Sequence, residues 1–393
     1  MLSNRQLFLL NTAQTSTTPR LIEIERAEGL YLYGPNGKKY MDLVSGFAVS
    51  NIGHRHPKVL EAIKAQTEKY LHITVYGEFI QAPQVLLATE LVSFLPKNLN
   101  NVYFVNSGTE ATEGAMKIAK KFTGRTNFIA AKKAYHGSTQ GALSLMGDEK
   151  FKIPFAPLLP NIHYVDYNDV NQLSTVDQNT AAIVLESVQG EAGIRVPDIK
   201  YMQAVRKRCD ETGTLLILDE IQTGLGRTGK LFAFEHYGIV PDILLTAKAL
   251  GGGMPLGAFI ASQEIMAVVK ENPILGHITT FGGHPVSCAA ALASLRVITT
   301  DGLMDTVEEK HQLFLQHLQH PEIKEVRGIG LMMAIELDSF ERVERASKYC
   351  ATNGVMIDWF LHHETALRLA PPLTITNEEI IAACNIIKAG INN

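Results

Sequence analysis

Residues 215–229 read Leu-Leu-Ile-Leu-Asp-Glu-Ile-Gln-Thr-Gly-Leu-Gly-Arg-Thr-Gly, an apolar run that ends in two acids and continues into a glycine-rich stretch. Gly224, Gly226 and Gly229 spell G-x-G-x-x-G, the spacing of a dinucleotide fingerprint. That fingerprint sets its first glycine directly after a strand and a helix N-terminus directly behind it, with an acid about 20 residues on. Here Asp219, Glu220 and a spacer come first, and the continuation KLFAFEHYGIVPDILL does not restart a βαβ unit. The glycines therefore read as loop formers, and Asp219 becomes the residue to explain. An acid closing a buried strand stands where an open sheet binds ligands, and equally where a helix N-cap would stand.

Working outward, further short apolar runs, VYFVNS (102–107), NFIAA (127–131), AAIVLES (181–187) and DILLT (242–246), alternate with stretches of helical period. This order predicts an α/β fold: a mostly parallel sheet covered by helices on both faces, with functional groups at the C-terminal ends of its strands. A helix is expected from Thr109 to about Phe122. Residues 30–43, LYLYGPNGKKYMDL, alternate about Pro35-Asn36-Gly37 as a small antiparallel hairpin. After Ala290 comes a long helical stretch, and from about residue 310 short strands, IGLMMAIEL (329–337) and ALRLAPP (366–372), alternate with helices. The expected division is a large ligand-binding domain over 53–305 and a smaller α+β domain built from 1–52 and 306–393.

With 393 residues, 46% of them hydrophobic and 19% charged, the chain has enough apolar surface for a compact globule larger than one ordinary core. The 36 basic and 40 acidic side chains give a charge of −4 without a basic block or acidic tail, which argues against nucleic acid or an anionic membrane as partner. The four cysteines are far apart and form neither a disulfide framework nor a zinc knuckle, a usage that suits a reducing cytoplasm. MLSNRQLFLL at the N-terminus lacks a cleavage pattern, and no run approaches the roughly 18 apolar residues of a membrane span, so a cytoplasmic location is expected. His54, His56 and the His362-His363-Glu364 run lack metal-binding spacing and read as loop and surface histidines, with no metal expected. Cys288 reads as part of a tightly packed helix.

Two segments decide the role of Asp219. Ser107-Gly108-Thr109 leads from a strand into a helix, whose bare amides and neighbouring hydroxyls form an anion site, although a Ser or Thr followed by Glu also describes a well-capped helix. Lys248 lies between a buried strand and a glycine run that returns to another apolar strand, where desolvation lowers the pKa toward a nucleophilic amine. A phosphate cradle, an acid at a strand end and a partly buried lysine together fit pyridoxal 5′-phosphate, with the lysine carrying the cofactor and the acid keeping its pyridine nitrogen protonated.

From the GLYLYGPNGKKYMDL hairpin through GHRHP, NSGTEATEGAMKIA, YHG, ESVQGEAG, LDEIQTGLGRTG, TAKALGGGMPLG, TTFGGHP and RLAPPLTIT, the sequence resembles the class III aminotransferases of the fold-type-I pyridoxal-phosphate superfamily, near the acetylornithine and ornithine enzymes. The resemblance implies that Lys248 holds the cofactor and moves the substrate proton, that Asp219 pairs with the pyridine nitrogen, and that Gln222 reaches the ring hydroxyl. Ser107, Gly108 and Thr109 would bind phosphate. Tyr135 and Ile221 would pack on opposite ring faces, with His136 in the same cofactor site and Glu186 supporting it. Thr280 would complete the phosphate site of a neighbouring subunit, making the active unit a homodimer. Glu191 and Arg368 would form a switch, paired while an amine is bound and parted for a dicarboxylate such as glutamate, so that small-molecule amino donors and keto acids, with 2-oxoglutarate favoured, are the expected partners.

Two positions depart from the ornithine-type pattern. After YHG those enzymes have an arginine for the substrate α-carboxylate, whereas this chain has Ser138; the ornithine enzyme has a tyrosine where this chain has Phe47. YHG followed by a small residue and Thr139 is more similar to ω-amine transaminases that use pyruvate. The expectation is transfer of a terminal amino group from an ω-amino acid or related amine. An aminomutase, racemase or decarboxylase on the same scaffold would form product without a keto acid, and a non-catalytic cofactor-binding regulator would leave amines unconverted.

Overall fold

Strand Leu215–Asp219 is buried along its whole length, and its side chains alternate between two cores: Leu216 and Leu218 join one, Leu215 and Ile217 the other. The same alternation separates Ile183 and Leu185 from Ala182 and Val184, and Ala258 and Ile260 from Phe259 and Ala261. Successive strand residues point to opposite faces, so a sheet covered on both sides needs apolar residues at every position.

The computed structural model describes residues 2–393. In chain order the strands are β1 (Arg26–Glu28), β2 (Tyr31–Tyr33), β3 (Lys39–Asp42), β4 (Asn101–Val105), β5 (Asn127–Ala131), β6 (Ile162–Val165), β7 (Thr180–Glu186), β8 (Leu215–Asp219), β9 (Ile243–Thr246), β10 (Gly257–Ala261), β11 (Glu325–Ile329), β12 (Met332–Glu336), β13 (Val355–Met356), β14 (Asp358–Trp359) and β15 (Ala366–Leu369). The large sheet runs β4-β10-β9-β8-β7-β5-β6, with β10 antiparallel to both neighbours and the other pairs parallel. The C-terminal ends of β4, β5, β7, β8 and β9 therefore share one edge.

The helix that follows β4 spans Gly108–Thr123, and its Ala111, Ala115, Met116 and Ile118 cover the face that receives Leu215 and Ile217. On the other face lies the long helix Pro285–Thr300, with Ala290, Ala291, Leu295 and Ile298 in that core and Cys288 fully buried. No single helix among the described residues is long and apolar enough to cross a membrane.

The N-terminal hairpin forms as its alternation suggests: β2 and β3 pair antiparallel about a short turn at Pro35–Gly37. β3 also pairs in parallel with β13, and Leu30, Met41 and Leu43 enter one core with Val307, Phe314, Leu367 and Ile380, so both ends of the chain share a sheet and a core. One expectation fails. IGLMMAIEL is not a single strand: the chain folds back at Gly330, φ +55°, so that Ile329 ends β11 and Met332 begins β12 opposite it. A two-residue connection with a positive φ is a hairpin turn, and the apolar run hid it. β12 pairs with β15, placing Ala334 opposite Arg368.

Candidate active site

The strand ends converge on a cavity of about 480 Å³, lined by Ser107, Gly108, Thr109, Tyr135, His136, Ser138, Glu186, Glu191, Asp219, Ile221, Gln222 and Lys248, with Val49, Val188 and Met254 among its apolar walls. This volume lies within the range of small-molecule sites.

Asp219 is not a helix cap. Beyond it the chain runs through turns over 221–228 and bends over 229–232, with only a short 3₁₀ helix, Ala233–Tyr237, before β9. Its carboxylate is fixed at both oxygens, Oδ1 accepting from the Ile221 N–H at 3.0 Å and Oδ2 lying 2.7 Å from His136 Nδ1. Burial works against a charged His136 imidazole, and the hydrogen bond and charge of Asp219, with the Glu186 charge, more than reverse it, raising the pKa above the ordinary histidine value. His136 thus acts through Asp219.

Alternation along β8 explains why the two adjacent acids differ. Asp219 follows Leu215 and Ile217 toward the Gly108–Thr123 helix, whereas Glu220 turns to the other core, where it accepts from Ser187 Oγ (2.6 Å), Thr223 Oγ1 (3.0 Å) and the Ala233 and Phe234 amides (2.7 Å each). Glu220 is fully buried and was not singled out as a site residue; its signal was its place one step out of phase with Asp219.

At the head of the Gly108–Thr123 helix, Ser107 Oγ accepts from the Glu110 N–H at 3.3 Å, so the capping role is real. It coexists with an open cradle, because Ser107, Gly108 and Thr109 all line the cavity. A Cβ on Gly108 would come within 2.8 Å of Ile221 Cδ1, so a side chain at this position would push the isoleucine away from the turn.

Lys248 sits at φ +46°, a left-handed conformation costing an L-residue roughly 1–2 kcal/mol. Burial lowers its pKa below the ordinary lysine value, aided by the Arg368 charge and opposed by Glu191, Asp219 and Glu186. Tyr135 is held from two sides: its N–H donates to Glu186 Oε2 at 3.3 Å and its hydroxyl lies 3.2 Å from Ser138 Oγ. Glu186 Oε1 also accepts from the Gly190 N–H at 2.9 Å, and burial pushes its carboxyl up to about 7 against the pull of His136 and its two amide donors.

Arg368 and Phe47 lie beside the cavity without lining it. Arg368 Nη2 donates to Glu191 Oε2, and its guanidinium sits between the rings of Phe47, at 5.1 Å, and Phe360, at 4.4 Å. Burial works against the ionised form of Glu191, and the charge and hydrogen bond of Arg368, with the Leu361 N–H, outweigh it and hold the carboxyl below its ordinary value. Phe47 is presented by a left-handed turn, Ser45, Gly46, Phe47 and Ala48 having φ of 54°, 62°, 62° and 64°, pinned by Asp42 Oδ1 accepting from the Val44 and Ser45 amides.

Thr139 is tied to Thr109 and to Glu113, its Oγ1 lying 2.7 Å from Thr109 Oγ1 and donating to Glu113 at 2.6 Å. Thr280 is exposed and outside the lining of this chain's cavity. His54 and His363 lie 2.9 Å from Asp42 and 2.6 Å from Glu336, whereas His362, read as a loop or surface residue, is buried.

A fixed buried carboxylate, a weakened lysine amine and a helix N-terminus with free amides on one small cavity fit the pyridine nitrogen, aldehyde and phosphate of pyridoxal 5′-phosphate. Comparison with known proteins agrees. The profile of the family described as aminotransferase class-III matches residues 12–391. An acetylornithine aminotransferase of Methanopyrus kandleri is 42% identical over 356 residues, covering 90% of each chain. A putrescine aminotransferase of Pectobacterium atrosepticum is 43% identical over 370 residues, covering 88% of this chain and 78% of its own. The ornithine aminotransferase structure from Toxoplasma gondii superposes with a TM-score of 0.91 at 31% identity, covering 100% of this chain and 96% of its own. The chain belongs to the class III aminotransferases and is a pyridoxal-phosphate-dependent transaminase of the fold-type-I architecture.

Proposed function

We propose that this transaminase moves the terminal amino group of a straight-chain amine to 2-oxoglutarate, and that the observation carrying this reading is the buried Glu191–Arg368 pair beside the cavity of Lys248 and Asp219. The relatives named for acetylornithine and putrescine support the terminal amine. Among the described residues Lys248 is the only lysine or arginine lining the cavity, and Ser138 stands at its wall. A donor carboxylate therefore meets no free guanidinium while Arg368 is tied to Glu191, which favours a diamine over N-acetylornithine.

The cofactor, when bound, supplies an electron sink for the substrate carbanion. Lys248 would hold it through its amine and, when free, would move the proton at the reacting carbon, a task suited to a base whose pKa lies below the ordinary lysine value. Asp219, held by His136, would keep the proton on the pyridine nitrogen. Ser107, Gly108 and Thr109, which line the cavity with Tyr135, Ile221 and Gln222, would take the phosphate, Tyr135 and Ile221 would enclose the ring, and Gln222 would meet its hydroxyl. Arg368, released by Glu191, takes the distal carboxylate of the dicarboxylate acceptor, as a ping-pong enzyme with two substrates in one pocket requires.

The functional unit is a homodimer in the cytoplasm. Ile80 is 95% and Ile274 74% exposed, on segments that adjoin through the His72–Phe281 ring contact at 4.8 Å and the Gln84–Gly283 hydrogen bond at 2.8 Å. An apolar surface of this kind marks an interaction site, and the exposed Thr280 in the same segment is assigned to the phosphate site of the second copy. A panel of putrescine and N-acetylornithine against 2-oxoglutarate and pyruvate tests the substrate assignment. Putrescine with 2-oxoglutarate should turn over fastest; N-acetylornithine far above all other donors would overturn the diamine reading.

A further inference from the structure

Arg227, in the glycine-rich stretch after Asp219, is fully buried, and no carboxylate among the described residues forms an ion pair with it. Burial pulls its pKa down to about 9, which leaves it charged at neutral pH. A buried cation without a counter-charge is an expensive way to fill space that methionine or leucine could occupy. Its partners are oxygens from three distant parts of the chain. Nη1 donates to the carbonyls of Leu331, at 2.9 Å, and of Pro371, and Nη2 donates to Asn51 Oδ1, while Nε has no partner.

Each partner adjoins a segment that carries a substrate-recognition residue. Pro371 follows Arg368 by three residues as β15 ends, Leu331 leads into β12, whose Ala334 lies opposite Arg368, and Asn51 follows Phe47 by four. The attachment is reciprocated. The Leu331 N–H donates to the Arg227 carbonyl at 3.0 Å, Asn51 Nδ2 to the Leu225 carbonyl at 2.8 Å, and the Leu373 N–H to the Asn51 carbonyl at 2.7 Å. At the β11–β12 turn a Cβ on Gly330 would stand 2.7 Å from the Arg227 carbonyl, so the hairpin presses directly on the arginine's backbone.

Resting on the acceptor role proposed for Arg368, we infer that Arg227 is a positioning residue for dicarboxylate recognition: its guanidinium fork fastens the segments bearing Arg368 and Phe47 onto the loop that begins at Asp219. The fork is what lysine lacks, since an ammonium cannot hold several carbonyls in one fixed plane. Arg368 needs this external register. Its Nε is unpartnered, and once Glu191 lets go its guanidinium is placed only by its strand and the rings of Phe47 and Phe360.

The test compares Arg227→Lys, Asn51→Ala and Arg368→Ala as holoenzymes. Arg227→Lys and Asn51→Ala should keep the visible band of bound cofactor and a donor half-reaction within about twofold of the parent, while KM for 2-oxoglutarate rises about tenfold or more, as misplacement of a binding group by a fraction of an ångström produces. KM for pyruvate, which has no distal carboxylate, should stay unchanged. The dissociation constant of glutarate, an unreactive dicarboxylate titrated against the visible band, should rise in parallel. Asn51→Ala keeps the arginine and two of its contacts, so the comparison survives if Arg227→Lys fails to fold. Unchanged 2-oxoglutarate and glutarate affinity in a folded variant, alongside a large loss in Arg368→Ala, overturns the role of Arg227 alone. A parallel rise for 2-oxoglutarate and pyruvate with loss of cofactor reduces that role to general support and also overturns it. If Arg368→Ala leaves 2-oxoglutarate affinity intact, the acceptor site itself is wrongly placed and the inference falls with it.

Discussion

Lys248 and Asp219 have complementary surroundings. The lysine is enclosed, set at a left-handed φ and lowered in basicity, whereas the aspartate is fixed by an imidazole and an amide. One group can therefore give up its proton more readily than an ordinary lysine while the other stays oriented, the division of labour that acid–base work on a bound ring requires. Replacing Lys248 by alanine is expected to abolish covalent retention of pyridoxal phosphate after borohydride reduction and to slow transamination by about 10²- to 10⁴-fold. Mass spectrometry of the reduced variant provides the check, and finding the cofactor still attached would assign its attachment to another residue. The neighbouring acid was legible only as an acid. That Glu220 would gather four donors could not be read from the sequence, because Ser187, Ala233 and Phe234 are brought to it by the packing of other elements.

The loop after β8 is an element organised by one buried carboxylate. Burial raises the Glu220 carboxyl from 4.5 to about 7, against the pull of its Ser187, Ala233, Phe234 and Thr223 donors. A carboxyl whose folded value exceeds its unfolded value holds its proton more tightly in the folded chain. Its contribution to stability is therefore fully present below about pH 4.5 and is lost as the pH rises through about 7. Glutamine cannot titrate, so the destabilisation caused by Glu220→Gln should be larger at pH 5 than at pH 7.5 by on the order of 2 kcal/mol. Urea unfolding at the two pH values measures this, and a cost independent of pH would show that the carboxyl keeps its charge throughout. At this scale the strands of the large sheet were legible, because burial on both faces demands apolar residues at successive positions. The β11–β12 hairpin was not, because Gly330 and Leu331 interrupt the pairing without interrupting the hydrophobic run. The left-handed turn at Ser45–Ala48 left no mark in composition either, since three of its four residues are not glycine.

For the whole molecule, the decisive prediction concerns the second copy. Thr280→Ala should weaken cofactor binding by about tenfold or more, the value of a hydrogen bond to a charged group. At limiting pyridoxal phosphate, where Thr280→Ala is largely without cofactor, mixing it with the inactive Lys248→Ala should raise activity, because a mixed dimer contains one site with both native residues. Absence of any recovery after subunit exchange, verified by mass, would place Thr280 in its own chain's site. Sequence by itself determined the layered α/β fold, through consecutive apolar residues in short runs, and the chemical inventory of lysine, acid and helix N-terminus, through their positions at strand ends. Tertiary structure alone decided which donors gather on Glu220, that Arg368 rests between two aromatic rings, and that Arg227 spends its charge on three carbonyl-type oxygens. The contacts of Arg227 with Asn51, Leu331 and Pro371 and of Arg368 with Phe47 join residues more than a hundred positions apart, and local periodicity carries no information about which distant segments the packing of two cores will bring together.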